Sequence, residues 1–212
     1  MKALRVCAWI ALGLFAVTCV ITVMGASHDI GSGLLAWLQG LQSGWLTTTM
    51  KVITSAGEWY VFLIVCLALL LIPRTRFSYG VPLAAVTLVA AGLNTVLKLA
   101  FREPRPNTHR LIDETGFSFP SGHAMIGAAF VFMAIYLVWK NLASQTAKVI
   151  ITIVLGLAIL LIGVSRLYLG VHWPTDIIGG YFAAFSVFVL MLWLLELLNR
   201  WDRYQVLTAP KS

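Results

Sequence analysis

Charged residues are scarce in this chain. Only 11% of its 212 residues are Asp, Glu, Lys or Arg, 60% are hydrophobic, and the mean hydropathy is +0.90. This balance excludes a soluble domain of average composition, in which about a quarter of the residues are charged. It predicts an integral membrane protein. Internal repeats and low-complexity segments are also absent, which favours a single domain over residues 1–212.

Acidic residues are especially few. Eight Asp and Glu stand against fifteen Lys and Arg, which gives a net charge of +7 and a pI of about 9.6. In a soluble protein this excess would suggest nucleic acid. Here the basic residues lie in short loops without a long basic face, so we predict no nucleic-acid partner. The expected partners are the lipid bilayer and an anionic substrate, and no pattern indicates an obligate protein partner.

Cysteine is nearly absent too. Cys7, Cys19 and Cys66 all lie inside apolar runs, without metal-ligand spacing and without paired positions in loops. They are therefore interpreted as small buried hydrophobic residues. They do not indicate a cellular compartment.

Long apolar runs dominate what remains, and each run of about 20 residues predicts a transmembrane helix. The first extends from Val6 to about Ala26. A secretory signal is the alternative, but the run is long and lacks a small-x-small cleavage site, so a retained helix is favoured. The other five predicted spans are residues 52–72, 77–97, 122–139, 148–164 and 175–198.

Residues 28–51 are less apolar than the spans around them. Leu34, Leu38, Leu41 and Trp45 recur there at helical spacing among Gly, Ser, Gln and Thr. This pattern favours a short amphipathic helix at the interface, although a loop with incidental leucines is the alternative. The predicted fold is therefore an all-α integral membrane bundle of six transmembrane helices, with a short interfacial helix between spans one and two.

Six spans place both termini on the same side of the membrane. That side carries nine Lys and Arg and the other side carries six, so the positive-inside rule predicts cytoplasmic termini. The predicted location is the cell membrane, plasma or inner. One outer loop, residues 98–121, is nevertheless rich in basic residues and calls for a functional cause.

The outer loops hold most of the unusual polar side chains, and ionisable groups near a membrane are costly unless they have a function. Snorkelling at a helix end would explain a single lysine such as Lys98, but not so many cations on one face. Fixed cations with two imidazoles suit a phosphate, which needs charge neutralisation, a nucleophile and a proton donor. The residues are Lys98, Arg102, Arg105, Arg110, Ser121, His123, Arg166, His172 and Asp176.

The segment SRLYLGVHWPTD, residues 165–176, predicts a helix that begins at Pro174. His172 then lies just before the helix, and Asp176 can reach back to it. An aspartate bonded to one imidazole nitrogen leaves the other nitrogen free to attack. The alternative is an aspartate favoured at a helix start by the helix dipole.

The segment FPSGHAM, residues 119–125, predicts the start of another helix, with Ser121 as its N-cap. Free backbone N–H groups at a helix start form an anion site. Gly122 lets a phosphate approach the backbone, and His123 would lie beside it. Capping and catalysis are compatible roles for this segment.

Three motifs together resemble the type 2 phosphatidic acid phosphatase superfamily. KLAFREPRP (98–106), PSGH (120–123) and SRLYLGVHWPTD (165–176) are similar to its patterns K-x6-RP, PSGH and SR-x5-H-x3-D, in order and on one face. The resemblance covers about residues 45–198, the motif-bearing core. No motif position departs from the pattern.

The resemblance implies a role for each matching residue and a reaction that needs neither metal nor cofactor. His172 would be the nucleophile that forms a phosphohistidine, and Asp176 would orient it. His123 would protonate the leaving group and then activate water. The phosphate oxygens would be bound by Lys98, Arg105, Ser121, Gly122 and Arg166.

The implied substrate is a lipid phosphate monoester or diphosphate, and the short layout is most similar to phosphatidylglycerophosphatase and undecaprenyl-diphosphate phosphatase members. Transfer of the phosphate to another lipid is the alternative reaction. An anion transporter is the non-enzymatic alternative, but the spans carry almost no charge away from their ends. We interpret Arg102 and Arg110 as field-setting or headgroup contacts, His109 as solvated, Glu58 as interfacial, and Phe117 and Phe119 as interface anchors.

Overall fold

The computed structural model describes residues 2–107 and 109–208, and within these ranges the chain forms helices and no strand. A short π-helical segment, Arg76–Gly80, leads directly into the fifth α-helix. The α-helices are α1 Lys2–Val23, α2 Ala26–Gly40, α3 Gly44–Ser55, α4 Trp59–Leu71, α5 Val81–Phe101, α6 Gly122–Asn141, α7 Gln145–Tyr168 and α8 Pro174–Thr208.

Five helical segments are long and apolar enough to cross a membrane: Val6–Val23, Arg76–Phe101, Gly122–Asn141, Gln145–Tyr168 and Pro174–Leu197. A sixth crossing exists if α3 and α4, which meet at a 42° bend, form one broken span. The all-α, multi-pass membrane prediction is therefore confirmed. The count of six and the interfacial helix stay predictions.

The region between α2 and α4 differs from the sequence prediction. The amphipathic segment 28–51 divides into α2 and most of α3, and the span predicted at 52–72 is interrupted at residues 56–58. The chain packs closely at this interruption: a Cβ on Gly57 would lie 2.7 Å from Ile162 Cγ2 and 2.9 Å from His123 Cδ2. The predicted span included residues 54–58, TSAGE, and these polar and small residues were the available sign of the break.

Helix α6 lies at the centre of the bundle, packed against α5, α7 and α8, while α1 packs on α8. Small residues bring α6 and α8 together: a Cβ on Gly180 would lie 2.9 Å from the Ala124 Cβ. At the start of both helices the Ser121 N–H donates to the Asp176 carbonyl at 3.1 Å. The two motifs that begin α6 and α8 are thereby joined through the backbone.

Two loops close this end of the bundle. Residues 102–121 connect α5 to α6, and residues 169–173 connect α7 to α8. Gly170 has φ +72°, a left-handed conformation that glycine adopts without strain. The Leu111 N–H donates to the Leu169 carbonyl at 3.0 Å, so the loops also contact each other.

Candidate active site

The polar residues singled out by the motifs meet at one cavity of about 210 Å³, where α5 and α7 end and α6 and α8 begin. Ser121 and Asp176 are buried directly behind it. The structure therefore brings together all eight predicted site residues. Six of them line the cavity: Lys98, Arg105, Gly122, His123, Arg166 and His172.

His172 is fixed between an acid and a cation. Its Nδ1 lies 3.1 Å from Asp176 Oδ2, which also accepts a hydrogen bond from the Trp173 N–H at 2.8 Å. Its Nε2 lies 3.2 Å from Arg105 Nη1. Because a guanidinium only donates, Nε2 must carry the lone pair and Nδ1 the proton. The ring therefore presents an unprotonated nitrogen to the cavity.

Charge around His172 favours its neutral form. Complete burial, followed by the nearby charges of Arg105, Arg166 and Lys98, holds the pKa of His172 well below its ordinary value of 6.5. Burial and neighbouring cations both penalise an imidazolium. The ring is consequently a neutral base at physiological pH, as a nucleophile must be.

Arg105 is held by backbone carbonyls. Its Nε and Nη2 donate to Gly116 and Thr115 at 3.1 Å each, and Nη1 donates to Val171 at 3.0 Å. The two closing loops thus position one guanidinium between them. Its Nη1 faces both the cavity and His172.

The other two cations belong to helix ends. Lys98, in the last turn of α5, donates to the Phe117 and Ser118 carbonyls at 2.5 and 3.2 Å. Arg166, in the last turn of α7 and 1% exposed, donates to Thr54 Oγ1 at 2.9 Å. Cations are favoured at helix C-termini, where the dipole is negative. Three fixed positive charges therefore surround the cavity.

Helix α6 begins where the sequence predicted, with Ser121 at the N-cap position and Gly122 as its first residue. Ser121 does not make the expected side-chain cap, and its buried Oγ has no hydrogen-bond partner among the described residues. A hydroxyl in this state can donate to an anion at the helix start.

Two carboxylates in the cavity were not singled out by the motifs. Glu114 bridges two cations: its Oε1 accepts from Arg166 Nη2, and its Oε2 lies 3.6 Å from Arg105 Nη2. Burial alone would raise the pKa of Glu114, but the charge and hydrogen bond of Arg166 and the charge of Arg105 outweigh it and lower that pKa. Glu114 is therefore a carboxylate at neutral pH.

Glu58, interpreted from the sequence as an interfacial residue, lines the same cavity. It lies in the break between α3 and α4, and its Oε1 is 3.5 Å from His123 Nε2. Hydrogen-bond geometry is not met at this distance, so the pair is a loose contact. The bend that hydropathy did not predict places this acid beside His123.

A third acid holds the loop from outside. Glu103 is buried and accepts from Ser27 Oγ at 3.1 Å, while His28 Nε2 lies 2.9 Å from it. The His28 ring stacks on Trp173, with the ring centroids 4.6 Å apart. Helix α2 thus contacts both loops of the site.

One sequence signal could have indicated these acids. Three of the eight acidic residues in the chain, Glu103, Asp113 and Glu114, lie in the loop that carries the basic motif. Opposite charges in one loop near membrane depth tend to pair, so acids in this loop indicate partners for its basic residues.

Phe119 is also placed differently from its sequence interpretation. Phe119 is fully buried and contacts Phe15 and Phe101, so it is a core residue and the interface-anchor interpretation was wrong. Arg110 donates to the Pro106 carbonyl at 2.5 Å and therefore braces its own loop. His109 is exposed, as predicted.

Within residues 2–107 and 109–208, no three His, Cys, Asp or Glu side chains form a group that could hold a metal ion. The predicted independence from metal stays a prediction. The site that the structure does show is a cavity lined by Lys98, Arg105 and Arg166, with a buried histidine–aspartate pair beside it.

These features define a multi-pass helical membrane protein with a cation-lined cavity built from helix ends and their connecting loops. The chain belongs to the PAP2 superfamily, whose family model matches residues 79–200. The family predicted from the three motifs is confirmed.

Relatives in this family are named as phosphatases, which supports the prediction of a hydrolase. Undecaprenyl-diphosphatase of Sulfolobus acidocaldarius is 32% identical over 182 residues, which are 82% of this chain and 84% of that protein. Phosphatidylglycerophosphatase B of Bacillus subtilis is 39% identical over 100 residues, which are 47% of this chain. The match spans about half of that relative, 49% of its length.

Solved structures share the fold. The crystal structure of a PAP2 type phosphatidylglycerolphosphate phosphatase from Bacillus subtilis matches with a TM-score of 0.74 and 28% identity, over 92% of this chain and 97% of that one. LpxE of Aquifex aeolicus matches with a TM-score of 0.64 and 21% identity, over 77% and 94% respectively. The second likeness concerns the fold alone.

Proposed function

We propose that this protein hydrolyses lipid phosphate monoesters or diphosphates through a phosphohistidine on His172, without a metal. The observation that carries the proposal is the state of the His172 ring: Asp176 accepts at Nδ1, and Nε2 faces the cavity beside three cations. The names of the relatives, two of them phosphatases acting on phosphatidylglycerophosphate and undecaprenyl diphosphate, support a lipid substrate.

In the first step His172 Nε2 attacks phosphorus and the bond from phosphorus to the lipid oxygen breaks. His123 donates a proton to that leaving oxygen. Lys98, Arg105 and Arg166 stabilise charge on the other phosphate oxygens, helped by Ser121 and the Gly122 N–H. Asp176 holds the imidazole as it becomes positively charged.

In the second step water attacks the phosphorus of the phosphohistidine. His123, now deprotonated, accepts a proton from the water, and the phosphorus–nitrogen bond breaks. Inorganic phosphate is released, and both histidines return to their starting states. The proton that His123 gives to the lipid oxygen in the first step is replaced by a proton from water in the second.

We further propose that the site opens on the extracytoplasmic side of the cell membrane, with both termini in the cytoplasm. The bias of Lys and Arg between the two sides supports this orientation. Labelling of a cysteine placed at exposed His109 with a membrane-impermeant reagent on intact cells would test it.

The function is tested with the purified full-length chain in detergent micelles. Phosphate release is measured from a panel of lipid phosphates and diphosphates, with and without EDTA. We expect release that survives EDTA and falls to background in His172→Ala. Full activity in that variant would refute the assignment of His172 as nucleophile. Loss of activity with EDTA that a divalent ion restores would refute a metal-free reaction. A newly phosphorylated acceptor lipid would show phosphotransfer instead of hydrolysis.

A further inference from the structure

Glu114 holds the donors that a phosphate would use. Its carboxylate spans Arg105 and Arg166, and all three residues line the cavity. Carboxylate and phosphate oxygens accept from guanidinium groups in the same fork geometry. The same N–H groups cannot serve both anions fully at once, so a bound phosphate and the Glu114 carboxylate compete.

We propose that Glu114 is an internal competitor for Arg105 and Arg166, whose carboxylate weakens the binding of every anion at the site by the same factor. Singly charged phosphodiester headgroups, which bind weakly to begin with, then stay unbound, while a more highly charged terminal phosphate still binds. The inference rests on the function proposed above. It assigns a role to a residue outside the three motifs.

The need for such selection follows from the location of the site in a membrane. Phosphodiester headgroups, each with one negative charge on phosphate, surround a membrane protein in large excess over any lipid with a terminal phosphate. A phosphomonoester carries about 1.5 to 2 negative charges at neutral pH. A tethered carboxylate has a high effective concentration at the arginines, so a monoanion gains little by replacing it. A dianion with more acceptor oxygens gains more.

The surroundings of Glu114 allow its displacement. Its side chain is 25% exposed, and Gly116, two residues on, has φ +71°. Arg105 keeps the Thr115, Gly116 and Val171 carbonyls when the carboxylate leaves, and Arg166 keeps Thr54. The arginines are therefore held in place by other acceptors, and the carboxylate is not required to position them.

A purely structural ion pair is the competing explanation. Loss of one partner of a buried pair leaves an uncompensated charge and destabilises a protein. Under that explanation a change at Glu114 lowers stability and activity, but it does not make other anions bind better. The direction of the change in anion affinity therefore separates the two explanations.

The test compares Glu114→Gln with a matched control, Asp113→Asn, which removes the same charge from the adjacent exposed position. Hydrolysis of a lipid phosphate is measured in phosphatidylcholine-containing micelles with added phosphatidylglycerol or with inorganic phosphate. For Glu114→Gln we expect the inhibition constants of both additives to fall about tenfold, as when a competitor that occupies most sites is removed. For Asp113→Asn we expect wild-type values.

Unchanged or weaker inhibition of folded Glu114→Gln would overturn the inference, as would equal effects in Asp113→Asn. If Glu114→Gln does not fold, Glu114→Asp replaces it, because its shorter carboxylate cannot span both arginines. We then expect tighter inhibition by inorganic phosphate than in wild type, and equal inhibition would overturn the inference. If His172→Ala is inactive and the inhibition constants of Glu114→Gln equal those of wild type, only the inference about Glu114 is refuted. If His172→Ala is active, the proposed function is refuted.

Discussion

His172 and His123 both line the cavity and are each paired with a carboxylate, and the two pairs differ in distance, burial and hydrogen bonding. His172 Nδ1 lies 3.1 Å from Asp176 Oδ2, with side chains 2% and 0% exposed. His123 Nε2 lies 3.5 Å from Glu58 Oε1, with side chains 12% and 31% exposed. The first pair is a buried hydrogen bond, and the second is a loose contact beside solvent.

The difference suits the two chemical tasks that we propose for these histidines. A nucleophile must present one nitrogen in one tautomer, which a buried aspartate enforces. A residue that gives a proton to the leaving oxygen and later takes one from water must change protonation state within each cycle. Weak contact with a partly exposed acid leaves His123 free to do so. Two imidazoles in one cavity can thereby perform opposite roles.

The largest difference between the two pairs is expected when Asp176 is changed. Asp176→Asn keeps the shape of the side chain but removes the acceptor that selects the His172 tautomer, so we expect kcat to fall by about 10³–10⁴-fold. Glu58→Gln, the matched change in the loose pair, should lower kcat by less than about tenfold. Both are measured as phosphate release by variants with wild-type thermal unfolding. Equal losses would show that the two pairs are equivalent.

A second prediction concerns the leaving group. His123→Ala should lower kcat on a lipid phosphate by about 10²–10⁴-fold, because an alkoxide leaves poorly without a proton. On p-nitrophenyl phosphate the first step needs no proton donor, so we expect a burst of one p-nitrophenol per site followed by slow turnover. Rapid-mixing absorbance measures the burst. Its absence, together with equal losses on both substrates, would contradict the assignment of His123.

A smaller effect than at Asp176 or His123 is expected at the bend between α3 and α4. Gly57→Ala would place a methyl group 2.9 Å from His123 Cδ2 and shift the ring, so we expect kcat to fall about tenfold. Gly44→Ala serves as the control on α3, since no atom lies within 4 Å of its added Cβ. Phosphate release and thermal unfolding are measured for both. A Gly57→Ala protein as active as Gly44→Ala would show that the bend does not position His123.

The part of the site that follows local rules could be predicted from the sequence. Pro174 begins α8, and Asp176 then reaches His172 one helical turn away. Ser121 and Gly122 begin α6 for similarly local reasons. These residues are neighbours because they are close together in sequence, so a sequence motif is enough to predict their contact.

The rest depends on contacts between distant segments. Glu114 meets Arg166 across 52 residues of chain, and Thr54 meets it across 112. Hydropathy follows neither contact, and an average over a whole span hides the short polar segment TSAGE around Gly57. Phe119 shows the same limit: it was interpreted as an interface anchor, whereas packing against Phe15 makes it part of the core.

The hydrogen bond from the Ser121 N–H to the Asp176 carbonyl has a mechanical consequence. Membrane helices tilt to match the thickness of the bilayer, and independent tilting would change distances at their ends. Because α6 and α8 are joined through Ser121 and Asp176 and packed closely at Gly180, we expect them to tilt as a unit. We therefore expect the separation between His123 and His172 to change little when the lipid composition of the membrane changes.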